Sequence, residues 1–263
     1  MKAARRVYLV GAGPGDPELL TVKGSRLLQR ADIILHDDLV SAEILALAGP
    51  QTRIVNVGKR CGSKKITQAE INEQMIEAAR AGLQVVRLKS GDPAIFGRLA
   101  EEIAALDEAG IPFLIVPGVT AGLAAAASLQ VSLTDRRKSS RVIVIANHQS
   151  HDATGNGKTD WSGLARDDVT LVIYMPGQDF EALRTDLLEA GMSAELPAVI
   201  VSRASTAAES FQWTTLRNID KLPRIASPSV LLIGRALDRG CVGQDIGDAS
   251  AALNEANFIL SSV

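Results

Sequence analysis

Short apolar runs alternating with longer amphipathic stretches set the rhythm of this 263-residue chain. Val7 to Val10, Ile33 to Leu35, Gln84 to Leu88 and Ile111 to Val116 have the length and composition of buried strands. Between them apolar positions recur at helical spacing: Leu27, Leu28 and Ala31 after Thr21, then Ile71, Met75 and Ala78 or Ala79 after Thr67. Thr67-Gln68-Ala69-Glu70 has the form of a capping box, whose hydroxyl and carboxylate satisfy each other's helix-end amides, and Gly82 stands where a left-handed terminator belongs. Helices are expected over 98–109, closed by Gly110, and over the alanine-rich stretch 121–128. The second half predicts strands at 141–146, 169–175, 198–201 and 230–233, with a helix at 179–190 closed by Gly191. A polar loop is expected at about 148–160 and a last helix at 249–260.

This alternation predicts an α/β protein with mostly parallel strand pairing. The basic, polar segment Thr134 to Arg141 interrupts it and is read as a junction between an N-terminal α/β domain, 1–136, and a C-terminal α/β domain, 137–240, with a tail at 241–263. No internal repeat is visible.

Charge narrows the partners. Lys and Arg number 28 against 30 Asp and Glu, a net of −2, without the basic excess of a nucleic-acid surface. Cys61 and Cys241 share no motif spacing, and His36, His148 and His151 form no HExxH pattern, so neither a disulfide framework nor a metal site is expected. The apolar run after Arg5-Arg6 is too short for a signal peptide, and no stretch approaches the ~18 apolar residues of a membrane helix. A cytoplasmic protein with no membrane partner is the expectation.

Candidate chemistry collects in Gly/Pro/Asp turns that follow strands, at residues 11–17, 90–93, 117–121 and 175–177. Strand ends are where open α/β sheets bind ligands, and such turns offer backbone amides and carbonyls more than acid–base side chains. The first turn fits a dinucleotide fingerprint in outline, but Asp16 occupies its last glycine position and would repel a pyrophosphate. A Walker loop, a nucleophile elbow and a Ser-His-Asp order are absent from the sequence. Arg98 and Glu101, three apart on a predicted helix, form a charged pair one turn beyond the second of these turns.

The ordered set Val10 to Thr21, Ala31 to Ser41, Val57 to Arg60, Arg87 to Arg98 and Pro117 to Ala121 resembles the tetrapyrrole methyltransferases, and within them the uroporphyrinogen-III C-methyltransferases. The second half resembles them more loosely, at 169–175, 203–209 and 227–234. The resemblance implies two α/β domains with a cleft between them, a homodimer, and S-adenosyl-L-methionine as methyl donor, leaving as S-adenosyl-L-homocysteine, with no metal. It implies an acceptor rich in carboxylates, methylated at two pyrrole carbons to give precorrin-2. By the family pattern the donor would lie near Pro14, Gly91, Asp92, Ile95, Thr120, Ala121, Met175, Ala204, Pro228 and Ser229. Arg98 and Glu101 would be catalytic, and Arg136, Asp38 and Asp16 would meet the acceptor. Ser90, Leu99, Ala100 and Asp135 stand where the family commonly has glycine, two glycines and histidine. Leu99 and Ala100 are expected to narrow the acceptor space, and Asp135 to set a carboxylate beside an anionic ligand. Methyl transfer to a later precorrin or cobalt-precorrin, action on a non-tetrapyrrole, and a non-catalytic binding protein of the same fold are the alternatives.

Overall fold

The computed structural model describes residues 6–58, 66–147 and 159–238. Lys59, Arg60, both cysteines, His148, His151 and the helix expected at 249–260 lie outside them. The first five strands, β1 (Val7–Gly11), β2 (Ile33–His36), β3 (Arg53–Asn56), β4 (Val85–Lys89) and β5 (Phe113–Val116), make one parallel sheet in the order β3-β2-β4-β1-β5. Its helices are α1 (Val22–Arg30), α2 (Ala42–Leu45), α3 (Gln68–Arg80) and α4 (Leu99–Glu108).

Chain order explains the layers. From β1 the strands step to one edge of the sheet, and from β3 they return past β1 to the other. Right-handed crossovers therefore put α1 and α2 on one face and α3 and α4 on the opposite face. Leu28 and Ile44 accordingly pack with Val10, Ile34 and Val86, while Ile71, Met75 and Leu106 pack with Val7, Leu9 and Leu35. Strands covered on both sides read as unbroken apolar runs, as β1 and the Ile33–Leu35 stretch of β2 do. Because the chain leaves β1 toward one face and β4 toward the other, a crevice opens between their C-terminal ends.

Local signals act as expected. Thr21 caps α1 through Gly24 N at 3.0 Å. In the capping box, Thr67 N donates to Glu70 Oε2 at 2.7 Å and Glu70 N to Thr67 Oγ1 at 3.2 Å. Gly82, at φ +80°, ends the turn after α3 in a conformation that costs a side chain about 1 kcal/mol.

The second sheet comprises β6 (Arg141–Ala146), β7 (Val169–Tyr174), β8 (Pro197–Ser202), β9 (Ser210–Thr215) and β10 (Ser229–Ile233), ordered β6-β7-β10-β8-β9. β6 and β7 are parallel, but β10 runs antiparallel between β7 and β8, and β9 antiparallel to β8. The expectation of mostly parallel pairing thus fails here. The connection 203–209 is too short for a parallel crossover, which needs a dozen or more residues. Helix α6 (Phe180–Glu189) sets Leu183 and Leu187 on one face, against Leu171, Ile173 and Ile200. The other face takes α5 (Ala121–Ser128), whose Ala124 and Ala125 meet Val172, Val199 and Val230. So α5 follows a strand of the first sheet and completes the core of the second.

Candidate active site

Three turns at the C-terminal ends of β1, β4 and β5 interlock backbone on backbone. Gly13 and Gly91 exchange hydrogen bonds, Gly91 N to Gly13 O at 2.7 Å and Gly13 N to Gly91 O at 3.1 Å. A Cβ on Gly11 would stand 2.6 Å from Gly118 N and 2.7 Å from Gly91 O. Asp92 ties the assembly with both oxygens, accepting from Ala94 N at 2.8 Å and Gly118 N at 2.9 Å.

The second sheet supplies the opposing side. At the end of β7 the Tyr174 hydroxyl accepts from Gly122 N at 2.6 Å and shares a 2.6 Å hydrogen bond with the Thr120 hydroxyl, at the start of α5. Thr120 in turn faces Gly91, its Cα 3.9 Å from where a Cβ there would stand. The Tyr174 ring meets Phe96 with centroids 5.2 Å apart. Arg203 N donates to Pro228 O at 2.9 Å beside Ser229, the first residue of β10. Gly15 abuts the Ser205–Thr206 turn, where an added Cβ would lie 2.5 Å from Thr206 Cγ2.

Backbone strain clusters here. Phe96, Arg98, Met175, Arg203 and Ser205 all have φ between 48° and 60° without being glycine. Such conformations cost of order 1 kcal/mol or more each and persist where tertiary contacts enforce them.

These contacts bring Gly91, Thr120, Ala121 and Tyr174 together, with Ile95 and Met175 adjacent in the chain to Phe96 and Tyr174. Ala204, Pro228 and Ser229 gather on the second sheet, across from Pro14 and Gly15. Asp16 caps the short 3-10 helix 17–19 by accepting from Glu18 N at 2.8 Å. Asp38 Oδ1 accepts from Asn56 Nδ2 at 2.9 Å. Arg136 is exposed in the 135–139 turn, where the Asp135 carboxylate takes Arg137, with N–O distances of 3.1 and 3.2 Å. Hydrogen bonds from Arg137 hold the Asp135 carboxyl below the usual carboxylate range. That pairing offsets the charge expected beside an anionic ligand. Leu99 does not narrow the cleft: it packs into the α3–α4 core, while Ala100 is exposed.

Arg98 is bidentate to Glu101, Nε to Oε1 at 2.7 Å and Nη2 to Oε2 at 2.6 Å, with the two side chains 42% and 51% exposed. The hydrogen bond to Glu101 raises the Arg98 guanidinium above its ordinary value. Two of the five N–H donors of an arginine are spent in this way, and the others remain for a ligand carboxylate. Helix α4 starts at Leu99, one residue later than expected, because Arg98 is its left-handed N-cap.

Behind the pair lies a charge cluster that the sequence did not reveal. Arg87 and Lys89 point from the central strand β4 into the α3–α4 side, almost wholly buried. Arg87 Nε and Lys89 Nζ each donate at 2.9 Å to Glu102 Oε1, and Arg87 Nη2 donates to Asp37. Burial pulls the Arg87 guanidinium down, but Asp37 and Glu102 together leave it raised. For Lys89, burial and then the charge of Arg87 outweigh the pull of Glu102 and Asp37 and leave its ammonium below the ordinary lysine range. The sequence signal for the cluster is two charged residues, Arg87 and Lys89, within an otherwise apolar strand, whose hydrophobic run masks it.

A small amphiphilic cofactor suits this crevice. Its floor is glycine backbone, its polar groups are carbonyls and amides at strand ends, and Phe96 and Met175 offer apolar surface at 45% and 46% exposure. Among the described residues no group of three or more His, Cys, Asp or Glu gathers as a metal site, and no helix is long and apolar enough to cross a membrane. The crevice is thus built from the strand ends of one α/β domain with the second α/β domain opposite it.

The profile of the Tetrapyrrole (Corrin/Porphyrin) Methylases matches residues 6–220, and the chain belongs to that family. Its class is the S-adenosylmethionine-dependent tetrapyrrole methyltransferases. It is 44% identical over 214 residues to a uroporphyrinogen-III C-methyltransferase of Paracoccus denitrificans, covering 81% of this chain and 74% of that one. It is 42% identical to siroheme synthase 1 of Pectobacterium atrosepticum over 90% of this chain, and spans about half of that protein, 49%. The structure resembles uroporphyrin-III C-methyl transferase from Thermus thermophilus complexed with S-adenyl homocysteine: TM-score 0.75, 38% identity, 88% of this chain and 98% of that one. A cobalt precorrin-4 methyltransferase superposes with TM-score 0.78 at 32% identity, over 89% and 96% of the two chains.

Proposed function

We propose that this protein methylates uroporphyrinogen-III at two pyrrole carbons, giving precorrin-2. The observation that carries the reading is the exposed, bidentate Arg98–Glu101 pair, a few residues beyond the Gly91–Asp92 turn, within a chain 44% identical to a uroporphyrinogen-III C-methyltransferase. When bound, S-adenosylmethionine supplies a methyl group already activated on a sulfonium. What remains for the protein is orientation and electrostatics. The turns at Gly13, Gly91 and Thr120 fix the donor's place, and Met175 and Phe96 exclude water beside it. Arg98 grips an acceptor carboxylate, and Glu101 holds that guanidinium in its plane and stands as the base nearest the reacting ring. Arg136 adds an exposed cation for the rim of an acceptor carrying eight carboxylates. A working homodimer, carried over from the family, is part of the proposal.

The likeness to a cobalt precorrin-4 methyltransferase supports a second reading, the same transfer to a later ring system. Its lower identity places it second. The test is anaerobic incubation of the purified protein with the donor and uroporphyrinogen-III, read by mass. A product carrying two added methyl groups is expected. Donor binding without that product would overturn the substrate, and failure to bind the donor or S-adenosylhomocysteine would overturn methyl transfer itself.

A further inference from the structure

The buried charge cluster under the Arg98 loop has a pattern that stability alone does not ask for. Two cations and a carboxylate are withdrawn from water, although apolar side chains of similar volume commonly stabilise such a position as well or better. Its arms converge on the first turn of one helix. Lys89 and Arg87 grip Glu102 Oε1 at 2.9 Å each, and Gln68 Nε2 reaches the same oxygen at 3.4 Å. From the next turn of α3, Asn72 Nδ2 donates to the backbone carbonyl of Glu101 at 3.2 Å. Glu102 is fully buried, and its other oxygen, Oε2, has no partner. A carboxylate that leaves one oxygen orphaned while crowding its donors onto the other is held for its orientation, since the orphan carries a desolvation cost.

The cluster also forms the floor of the loop. A Cβ on Gly97 would stand 3.0 Å from Lys89 Cε and 2.7 Å from Pro93 O, so the lysine stem lies directly beneath the residue before Arg98. Arg98 then turns through its left-handed conformation into α4. The remaining Arg87 bonds go to the carbonyls of Leu35 and Leu88 and to Asp37, away from the Gly118 and Thr120 turns.

We propose that Glu102, clamped by Lys89 and Arg87, is a positioning residue that sets the first turn of α4 and so aims Arg98 and Glu101 at the acceptor. The clamp acts on the acceptor side of the crevice and leaves the donor side alone. This rests on the function proposed above, but one arm of its test does not.

The discriminating variant is Lys89→Met with Glu102→Gln, which removes one cation and one anion together and leaves the Arg87–Asp37 pair intact. It is expected to bind S-adenosylhomocysteine as the unmodified protein does. Its kcat on uroporphyrinogen-III should fall by roughly 30- to 100-fold, the effect of misplacing catalytic groups by about 1 Å. Amide hydrogen exchange at 97–101 should quicken by about tenfold, with β1 and β7 unchanged. Asn72→Ala, which removes a single bond at the edge of the clamp, should move both readouts in the same direction by about threefold and keeps the test open if the double variant does not fold. Normal turnover in these variants, or unchanged exchange at 97–101, would overturn the proposal, as would equal loss of cofactor binding. If the unmodified protein does not methylate uroporphyrinogen-III, the substrate reading fails and hydrogen exchange alone decides the positioning role.

Discussion

Arg98 concentrates the chemistry at the scale of single residues. Its backbone is held left-handed at φ 55° and its guanidinium is bidentate to Glu101, so the pair is presented as one planar unit. Exposed ion pairs of this kind add little to stability, with typical values of about 0–1 kcal/mol. Arg98→Ala should therefore leave the melting temperature nearly unchanged. It should lower kcat/KM for the acceptor by about 100-fold, the loss of charge-assisted bonds worth about 1.5–3 kcal/mol, without weakening the donor. Steady-state kinetics beside calorimetric titration of S-adenosylhomocysteine separates the two; equal losses would show Arg98 to be misassigned. Spacing alone made this pair legible. The partners of Asp16, Asp92 and Asp135 were not legible, because the carboxylates are used on backbone amides within their own turns, on an arginine two residues on, or, for Asp92, on Gly118 N of a distant turn, which depends on turn conformation and on which turns meet.

Among the elements, the ends of the parallel strands are the most tightly packed. The turns after β1, β4 and β5 touch through glycine, and Gly118 is the tightest point: its added Cβ would collide with Gly91 O and lie 2.9 Å from Gly11 Cα. Backbone cannot yield as a flexible side chain does. Gly118→Ala should cost about 1–3 kcal/mol of stability, as overpacking does, and weaken donor binding by about tenfold or more. Gly82→Ala is the control, since nothing lies within 4 Å of its Cβ position and the cost there is backbone strain alone. Chemical denaturation and donor titration of both variants would settle whether space or conformational freedom governs the turn; loss of donor binding in both would remove the special role of Gly118. β9 carries a legible alternation, with Phe211 and Trp213 between polar residues, and both side chains pack on the sheet. β3 gave no such signal. Arg53 to Asn56 is a mixed, largely exposed edge strand whose identity comes from pairing with β2.

For the whole molecule, Tyr174 is the joint. Its hydroxyl holds Thr120 and the amide of Gly122, and its ring meets Phe96 of the first sheet's loop. Tyr174→Phe keeps the ring and orphans the amide at the start of α5, a cost of about 1–3 kcal/mol. The expected result is a lower melting temperature together with roughly tenfold weaker S-adenosylhomocysteine binding, because Thr120 loses its hold in front of Gly91. An unchanged affinity would show that the joint only supports the fold.

Most elements and the family are legible from local sequence: apolar runs place most strands, capping residues place the helix ends, and the ordered Gly/Pro/Asp turns carry the resemblance. These are local signals, written within a few residues of what they specify. Tertiary structure decided the rest. It inserted β10 antiparallel between β7 and β8, gave α5 to the second core, turned Leu99 inward, and brought Arg87 and Lys89 under the Arg98 loop. Each of those outcomes depends on which distant surfaces meet, and burying a charge is possible only once its partner, far along the chain, has been delivered beside it.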